Sequence, residues 1–258
     1  MSVKVNRRAL PSWNFWLGLL TCIVTLVAFG LGLAKLITVL KDEQQVPLAR
    51  LNVQGELQQL SEHEVRAALT RQPLGSFFTA DVNALRQRVE QLPWVAKASL
   101  RKVWPDRLSV YITEREPLAY WNNDRLVTAS GDVFKAALDS DKLAQPLPRL
   151  FGPETAVETT LEQFNRVQQM LEVNGMSVTA MRLTERFAVS VVLGNGIELK
   201  LGREATLERI KRFIDLLPQI EAHKNSEQNA LATVDLRYDT GAAVSWRKQE
   251  HVVDLWFD

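Results

Sequence analysis

Cysteine is almost missing from this chain. Its one copy among 258 residues, Cys22, lies inside a long apolar run. The remainder therefore has no disulfide, no thiol nucleophile and no cysteine-based metal site, and packing alone must stabilise it. Histidine is scarce as well. His63, His223 and His251 are far apart, none has a second histidine two to four residues on, and each reads as a solvated side chain. No GxSxG, SxxK, HExxH or glycine-rich phosphate loop occurs, so the motifs that usually carry acyl transfer, metal hydrolysis or nucleotide chemistry are absent. Nor is there a charge excess: 31 Lys and Arg stand against 30 Asp and Glu, which removes the electrostatic footprint expected of a nucleic-acid binder. The expectation is a chain with no enzymatic activity, no cofactor, no metal and no small-molecule substrate. Carboxylates are plentiful, so a paired-acid glycosidase is the one catalytic class that composition leaves standing.

What the chain does have is one long apolar segment. Phe15 to Ala34 is uncharged throughout, and at about 1.5 Å per residue roughly 20 residues match a hydrocarbon core of about 30 Å. Thr21 and Thr25 are tolerable there because a hydroxyl can bond back to its own helix. Trp13 and Trp16 fall where an interfacial belt would lie, and Lys35 is placed to snorkel at the other end. A cleaved signal peptide is the rival, but the run is longer than its usual apolar region of about 7 to 15 residues, and Ala28-Phe29-Gly30 is a poor cleavage site. The leader holds Lys4, Arg7 and Arg8 and no acid, whereas the far flank mixes Lys41 with Asp42 and Glu43. The expected topology is a cytoplasmic N-terminus, a single crossing over 15–40 and an exported bulk from about Lys41 onward.

The exported chain begins with a short alternating strand, Ala49 to Val53, stopped at Gly55. Ser61-Glu62-His63-Glu64 is a capping box, with Leu60 and Val65 as its hydrophobic staple, and the helix it opens ends by Gln72-Pro73. A second helix from Asp81 carries Val82, Leu85, Val89 and Leu92 on one stripe and is closed by Pro93. Two strands follow. Val95 to Val103 sets Ala96, Ala98 and Leu100 against Lys97, Ser99 and Arg101, and Arg107 to Arg115 alternates Leu108, Val110 and Ile112 with polar neighbours. Trp104-Pro105-Asp106 is the turn between them. Strand, helix, helix, strand, strand after a membrane anchor is the order of a POTRA domain.

The stretch LPWVAKASLRKVWPDRLSVYITEREPLAYW, Leu92 to Trp121, resembles the POTRA end of the bacterial cell-division family FtsQ/DivIB, in its Pro-Trp, its Trp-Pro-Asp turn and its Glu-x-x-Pro-type exit. Taken singly, Trp94 and Trp104 read as packed aromatics beside a tight hairpin. Beyond Pro117 the pattern becomes strand-rich with two helices. Arg125 to Thr128 and Val133 to Lys135 flank a Ser130-Gly131-Asp132 turn. Thr160-Leu161-Glu162-Gln163 reads as a second capping box before Phe164, Val167 and Leu171, with Asn174-Gly175 as the stop. Phe187, Val189, Val191 and Leu193 alternate into Gly194-Asn195-Gly196 and out through Ile197, Leu199 and Leu201. A third helix runs from Thr206 to near Pro218. The last strands are Val234, Leu236 and Tyr238, then Ala242, Val244 and Trp246, across an Asp239-Thr240-Gly241 turn. LPRLFGPE, Leu147 to Glu154, and VDLRYDTGAAVSW, Val234 to Trp246, are similar to two stretches of the family's β-domain.

The expected fold class is α+β: one transmembrane helix, a small POTRA domain (βααββ) and a larger β-domain with an open antiparallel sheet and packed helices. The expected boundaries are a cytoplasmic tail at 1–14, the membrane helix at 15–40, POTRA at 48–116, β-domain at 117–246 and a C-terminal tail at 247–258. That tail departs from a polar ending, since Val252, Val253, Leu255, Trp256 and Phe257 are apolar.

An open sheet ends in a strand whose unpaired backbone groups accept another strand. If Ala242 to Trp246 is that strand, a partner can add there, with Tyr238 and Trp246 as aromatic anchors or, alternatively, as ordinary core residues. The resemblance implies a bitopic scaffold of the division machinery that binds the periplasmic part of FtsB, itself paired with FtsL, and links early and late division proteins at the septum. Its implied partner-binding residues are Tyr238, Trp246, Arg237 and Arg186, the two arginines facing partner carboxylates. It also implies a second recruitment surface on the strand Ala96 to Lys102. Two rival classes are a POTRA-bearing secretion or assembly component, which lacks the length for a large barrel, and an anchored cell-wall hydrolase, which lacks a visible nucleophile or metal set.

Overall fold

A computed structural model of the chain describes residues 13–42, 48, 50–143, 145–222 and 229–248. The leader bases Lys4, Arg7 and Arg8, the histidines His223 and His251, the start of the first strand at Ala49 and the apolar tail positions 252–257 lie outside these residues. The chain divides into two units, 1–113 and 114–258.

In the first unit, helix α1 runs Trp13–Lys41. Its length and composition fit a single-pass membrane anchor, and from Trp16 to Thr38 its described side chains are exposed, with cover beginning only at Val39 and Leu40. Thr21 and Thr25 bond back to the carbonyls of Gly18 and Thr21 at 2.9 and 2.8 Å, so neither hydroxyl is left bare in an apolar medium. Strand β1 (Arg50–Gln54), helices α2 (Glu62–Thr70) and α3 (Val82–Glu90), and strands β2 (Val95–Val103) and β3 (Arg107–Glu114) then follow in the POTRA order. The sheet order is β1-β3-β2, with β1 parallel to β3. The capping box forms as expected: Ser61 Oγ accepts from Glu64 N, and Glu64 returns a bond to Ser61 N at 2.8 Å. Leu60 and Val65, the staple, are both buried. Asp81 caps α3 through the N–H groups of Asn83 and Ala84.

Two expectations for this unit need correction. Trp94 is buried, but Trp104 is 75% exposed at the tip of the β2–β3 hairpin, so only the first is a packed aromatic. At the entry to β2, Val95 is buried and Ala96 exposed. The N–H of Val95 closes the turn onto Leu92 O at 3.0 Å, and regular alternation begins only at Ala98.

The second unit is one nine-stranded sheet of order β12-β11-β10-β9-β8-β7-β4-β5-β6. Its strands are β4 (Pro117–Trp121), β5 (Arg125–Thr128), β6 (Val133–Phe134), β7 (Arg149–Phe151), β8 (Val178–Leu183), β9 (Val189–Leu193), β10 (Glu198–Gly202), β11 (Asn229–Asp235) and β12 (Ala243–Lys248). Helices α4 (Val157–Glu172) and α5 (Thr206–Ala222) bury Leu161, Phe164, Val167 and Leu171, and Ile210 and Phe213, against it. The LPRLFGPE stretch has a local reason. Leu150 and Phe151 are buried in β7, and a Cβ on Gly152 would fall 2.7 Å from Thr160 Oγ1. Glu154 closes the corner on Arg125 and on Asn122 Nδ2, the latter at 2.9 Å.

The second unit also departs from the sequence reading. Its sheet is mixed and not antiparallel, because β4–β7, β7–β8 and β10–β11 pair in parallel, the last pair being joined across α5. Thr160 is not a cap: it is fully buried inside α4, where its hydroxyl donates to Ala156 O at 2.8 Å. Helix α5 continues through Pro218 to Ala222, because Leu217 and Ile220 on its last turns still pack on the core and offset the missing proline N–H. Phe187 lies outside β9, exposed and at φ 60° in the β8–β9 turn. Tyr238 lies beyond β11, which stops at Asp235.

Candidate functional site

β11 runs parallel to β10 and antiparallel to β12, which is the last strand of the sheet. One side of the β12 backbone pairs with β11. Among the described residues no strand pairs with the other, so alternate N–H and C=O groups there are open to a further strand. The opposite edge is blunted. β6 has only 2 residues, and the Arg115 guanidinium lies 5.1 Å from the centre of the Phe134 ring. The long edge of β12 is therefore the one suited to strand addition.

The strand register decides which residues gather beside it. Gly202 of β10 faces Val189 at the start of β9, Lys200 faces Asp235 of β11, and Asp235 faces Ala243 of β12. The β8–β9 turn, the end of β10 and the β11–β12 connection thus emerge at one end of the sheet. Arg186, Arg237 and Tyr238 all lie at that end. Arg186, in the turn between β8 and β9, stands two to three strand spacings, roughly 10–14 Å, from the β11 position. Trp246 is apart from them, further along β12 opposite Leu231, and packs partly on the core.

The connection holding Arg237 and Tyr238 is built, not loose. Leu236 N makes a last ladder-like bond to Lys200 O at 3.0 Å. Asp235 Oδ1 then accepts from Arg237 N at 3.1 Å, which turns the chain out of the strand. From α5, Arg212 Nη1 donates to Tyr238 O at 2.7 Å, and Arg209 donates to Leu201 O and to Arg237 O. The Tyr238 ring, with its backbone fixed, is 58% exposed. Gly202 sits at φ 74°, and a Cβ there would come within 2.6 Å of Arg209 Nη1 and 3.2 Å of Arg237 Cγ. The glycine lets the stems of both arginines lie over the end of β10.

Arg237 is already paired. Its Nη2 lies 2.6 Å from Asp235 Oδ2, and its Nε also bonds the same carboxylate. The hydrogen bond from Arg237 holds the Asp235 carboxyl below the usual aspartate range against the opposing effect of burial. The same bond raises Arg237 further. A partner carboxylate would thus meet a half-neutralised guanidinium, whereas Arg186 is exposed in a turn closed by Phe187 N to Thr184 O at 2.8 Å.

Three contributors were not foreseen. Arg209 and Arg212 position the Tyr238 turn, and the available signal was their spacing of three along one flank of α5. Phe187, read as a strand residue, is instead an exposed aromatic next to Arg186. Among the described residues no three His, Cys, Asp or Glu side chains gather in a way that could hold a metal.

Comparison with known proteins places these two units in a family. Residues 46–115 match the family model described as "POTRA domain, FtsQ-type", and residues 119–237 match "Cell division protein FtsQ/DivIB, C-terminal". The chain is 40% identical over 210 residues to the "Cell division protein FtsQ" of Aliivibrio fischeri, covering 81% of this chain and 80% of that one. It is 35% identical over 240 residues to the protein of that name from Shewanella oneidensis, covering 93% and 89%. Against the Escherichia coli protein of that name it is 35% identical over 210 residues, covering 80% and 75%.

Proposed function

The chain belongs to the FtsQ/DivIB family of cell-division proteins, and from that premise we propose that it acts as a non-enzymatic scaffold whose β12 edge receives a strand of an FtsB-like partner. Family membership makes it a component of the division machinery that interacts with other division proteins. The finer reading covers FtsB, FtsL, a periplasmic bulk and enrichment at the septum. The observation that carries it is the open, 6-residue edge strand β12 with the exposed Tyr238 held at its entrance. Backbone bonds along β12 supply affinity, while Tyr238 and Arg186 at the sheet end supply choice of partner. Arg237 contributes as the outer half of an ion pair, and Trp246 contributes by holding β12 on the core.

The edge position of β2 in the smaller sheet supports a second docking strand from Ala96 to Lys102, for recruitment of other division proteins. The N-terminal bases Lys4, Arg7 and Arg8 support a cytoplasmic start and a periplasmic bulk by the excess of positive charge on the retained side.

The test is the affinity of the full-length chain, in nanodiscs, for the periplasmic parts of FtsB and FtsL. Tyr238→Ala and Arg186→Glu should each weaken it, with β12 and the fold intact. Unchanged affinity in both variants would refute the assignment.

A further inference from the structure

The end of the first unit nearest α1 carries exposed aromatics that the fold does not use. Trp104, at the tip of the β2–β3 hairpin, is 75% exposed, and Phe78 is 52% exposed with Phe77 edge-on to it at 5.4 Å. They belong to one surface. Lys102 Nζ reaches back to Phe78 O at 3.5 Å and lies 5.9 Å from the centre of the Phe77 ring. Trp104 is two residues further along the chain, in the turn just past the end of β2.

Three interactions fix which way this surface faces. Ser76, fully buried, donates from Oγ to Leu40 O at 2.8 Å, tying the Phe77-Phe78 loop to the last turn of α1. Arg50, where the chain enters β1, donates its N–H to Asp106 O at 3.2 Å and pairs with the Asp106 carboxylate at 3.3 Å, tying the hairpin tip to the side from which the chain arrives. The depth follows from helix length. The 29 residues of α1 extend about 43 Å at about 1.5 Å each, against about 30 Å of hydrocarbon and about 40–45 Å with headgroups. The end of α1 at Leu40 therefore stands at headgroup level, and the loop bonded to it stands there too. Exposed basic side chains adjoin these residues in the chain, Lys41 next to Leu40, Arg101 next to Lys102 and Arg107 next to Asp106, against the exposed Asp81 three residues after Phe78, and such bases attract anionic headgroups.

We propose that this end of the POTRA unit rests on the bilayer that α1 crosses, with Trp104 and Phe78 seated in the headgroup layer and Arg101 and Arg107 facing lipid phosphate. Tryptophan favours that layer because its ring is apolar and its N–H can stay hydrated. The contact would hold the POTRA unit at a set height and orientation above the membrane. It rests on α1 crossing the bilayer.

The test uses the full chain with Cys22→Ser, in nanodiscs of phosphatidylethanolamine and phosphatidylglycerol, carrying one nitroxide label at a time through Trp104→Cys, Tyr111→Cys or Phe29→Cys. Tyr111 is exposed midway along β3, opposite Gln54 at the end of β1, and Phe29 lies mid-span. The label at 104 should lose accessibility to a water-soluble nickel relaxer relative to the label at 111, while the label at 29 reports hydrocarbon. Adding Arg101→Glu and Arg107→Glu should restore access at 104 and leave 111 and 29 unmoved. Equal access at 104 and 111 overturns the proposal. So does shielding at 104 that requires two chains per disc, since the occupant is then protein. A label at 29 open to water overturns it through its premise, and leaves the partner site on the second unit untouched.

Discussion

Truncating Tyr238 and Trp246 separately should divide partner binding from folding. Trp246 lies opposite Leu231 on the core side of β12 and is mostly covered. A tryptophan buries about 150–250 Å² when fully enclosed and Trp246 keeps most of that cover, so about 100–200 Å² is at stake here, or about 2.5–5 kcal/mol at 25 cal/mol per Å². For a chain of this size Trp246→Ala should lower the unfolding temperature by about 5–20 °C, at about 2–4 °C per kcal/mol. Tyr238 is mostly exposed, and its turn is held through backbone carbonyls by Arg209 and Arg212, so Tyr238→Ala should move stability by no more than about 0.5 kcal/mol. Binding should reverse that order. Loss of an anchoring aromatic costs about 2–4 kcal/mol, roughly 30-fold to several hundred-fold in affinity, and should follow Tyr238→Ala in a fully folded protein. Denaturant unfolding and titration with the FtsB periplasmic segment on the same samples settle it. The assignment would be refuted if Tyr238→Ala unfolded the second unit as readily as Trp246→Ala, or stayed folded and bound like the parent.

Other outcomes follow from the same geometry. Arg186→Glu should weaken association in a salt-dependent way without loss of stability, measured as affinity at two ionic strengths. Arg237→Glu would place a second carboxylate beside Asp235, so it should loosen the β11–β12 turn as well as binding, seen as faster hydrogen exchange at residues 236–242. Because Asp235 titrates lower folded than unfolded, its pair with Arg237 stabilises above the ordinary aspartate range and is lost as pH falls below about 4. Asp235→Asn should flatten that part of the acid unfolding curve. Gly55→Ala should destabilise the POTRA unit by at least about 1–3 kcal/mol in denaturant unfolding, since Gly55 sits at φ 141° with the new Cβ 2.3 Å from Ile112 O.

The elements readable from sequence were those whose period survives folding. The Ser61 capping box, the Asp81 cap and the stripe Leu161, Phe164, Val167, Leu171 are local signals, and each forms where its residues stand. β8 escaped notice because a bulge between Val178 and Ala180 puts two buried residues, Ala180 and Met181, side by side, which breaks the alternation that identifies a strand. β4 is interrupted in the same way between Pro117 and Ala119, and β7 has only 3 residues. The reading of Tyr238 as a strand residue failed at Asp235, whose side chain captures Arg237 N and ends β11. That bond depends on conformation, not on periodicity. The grouping of Arg186 with Arg237 and Tyr238 is a matter of sheet register across β9, β10 and β11. No stretch of sequence states it, and the resemblance to a family supplied the residues before the register supplied their place.

Amide hydrogen exchange along β12, with and without the FtsB and FtsL periplasmic segments, tests the proposed edge most directly. Strand addition should slow exchange at alternate positions between Ala243 and Lys248, where the N–H groups point away from β11, and leave the β6 edge unchanged. A complex that forms with no added protection in β12 would contradict binding at this edge.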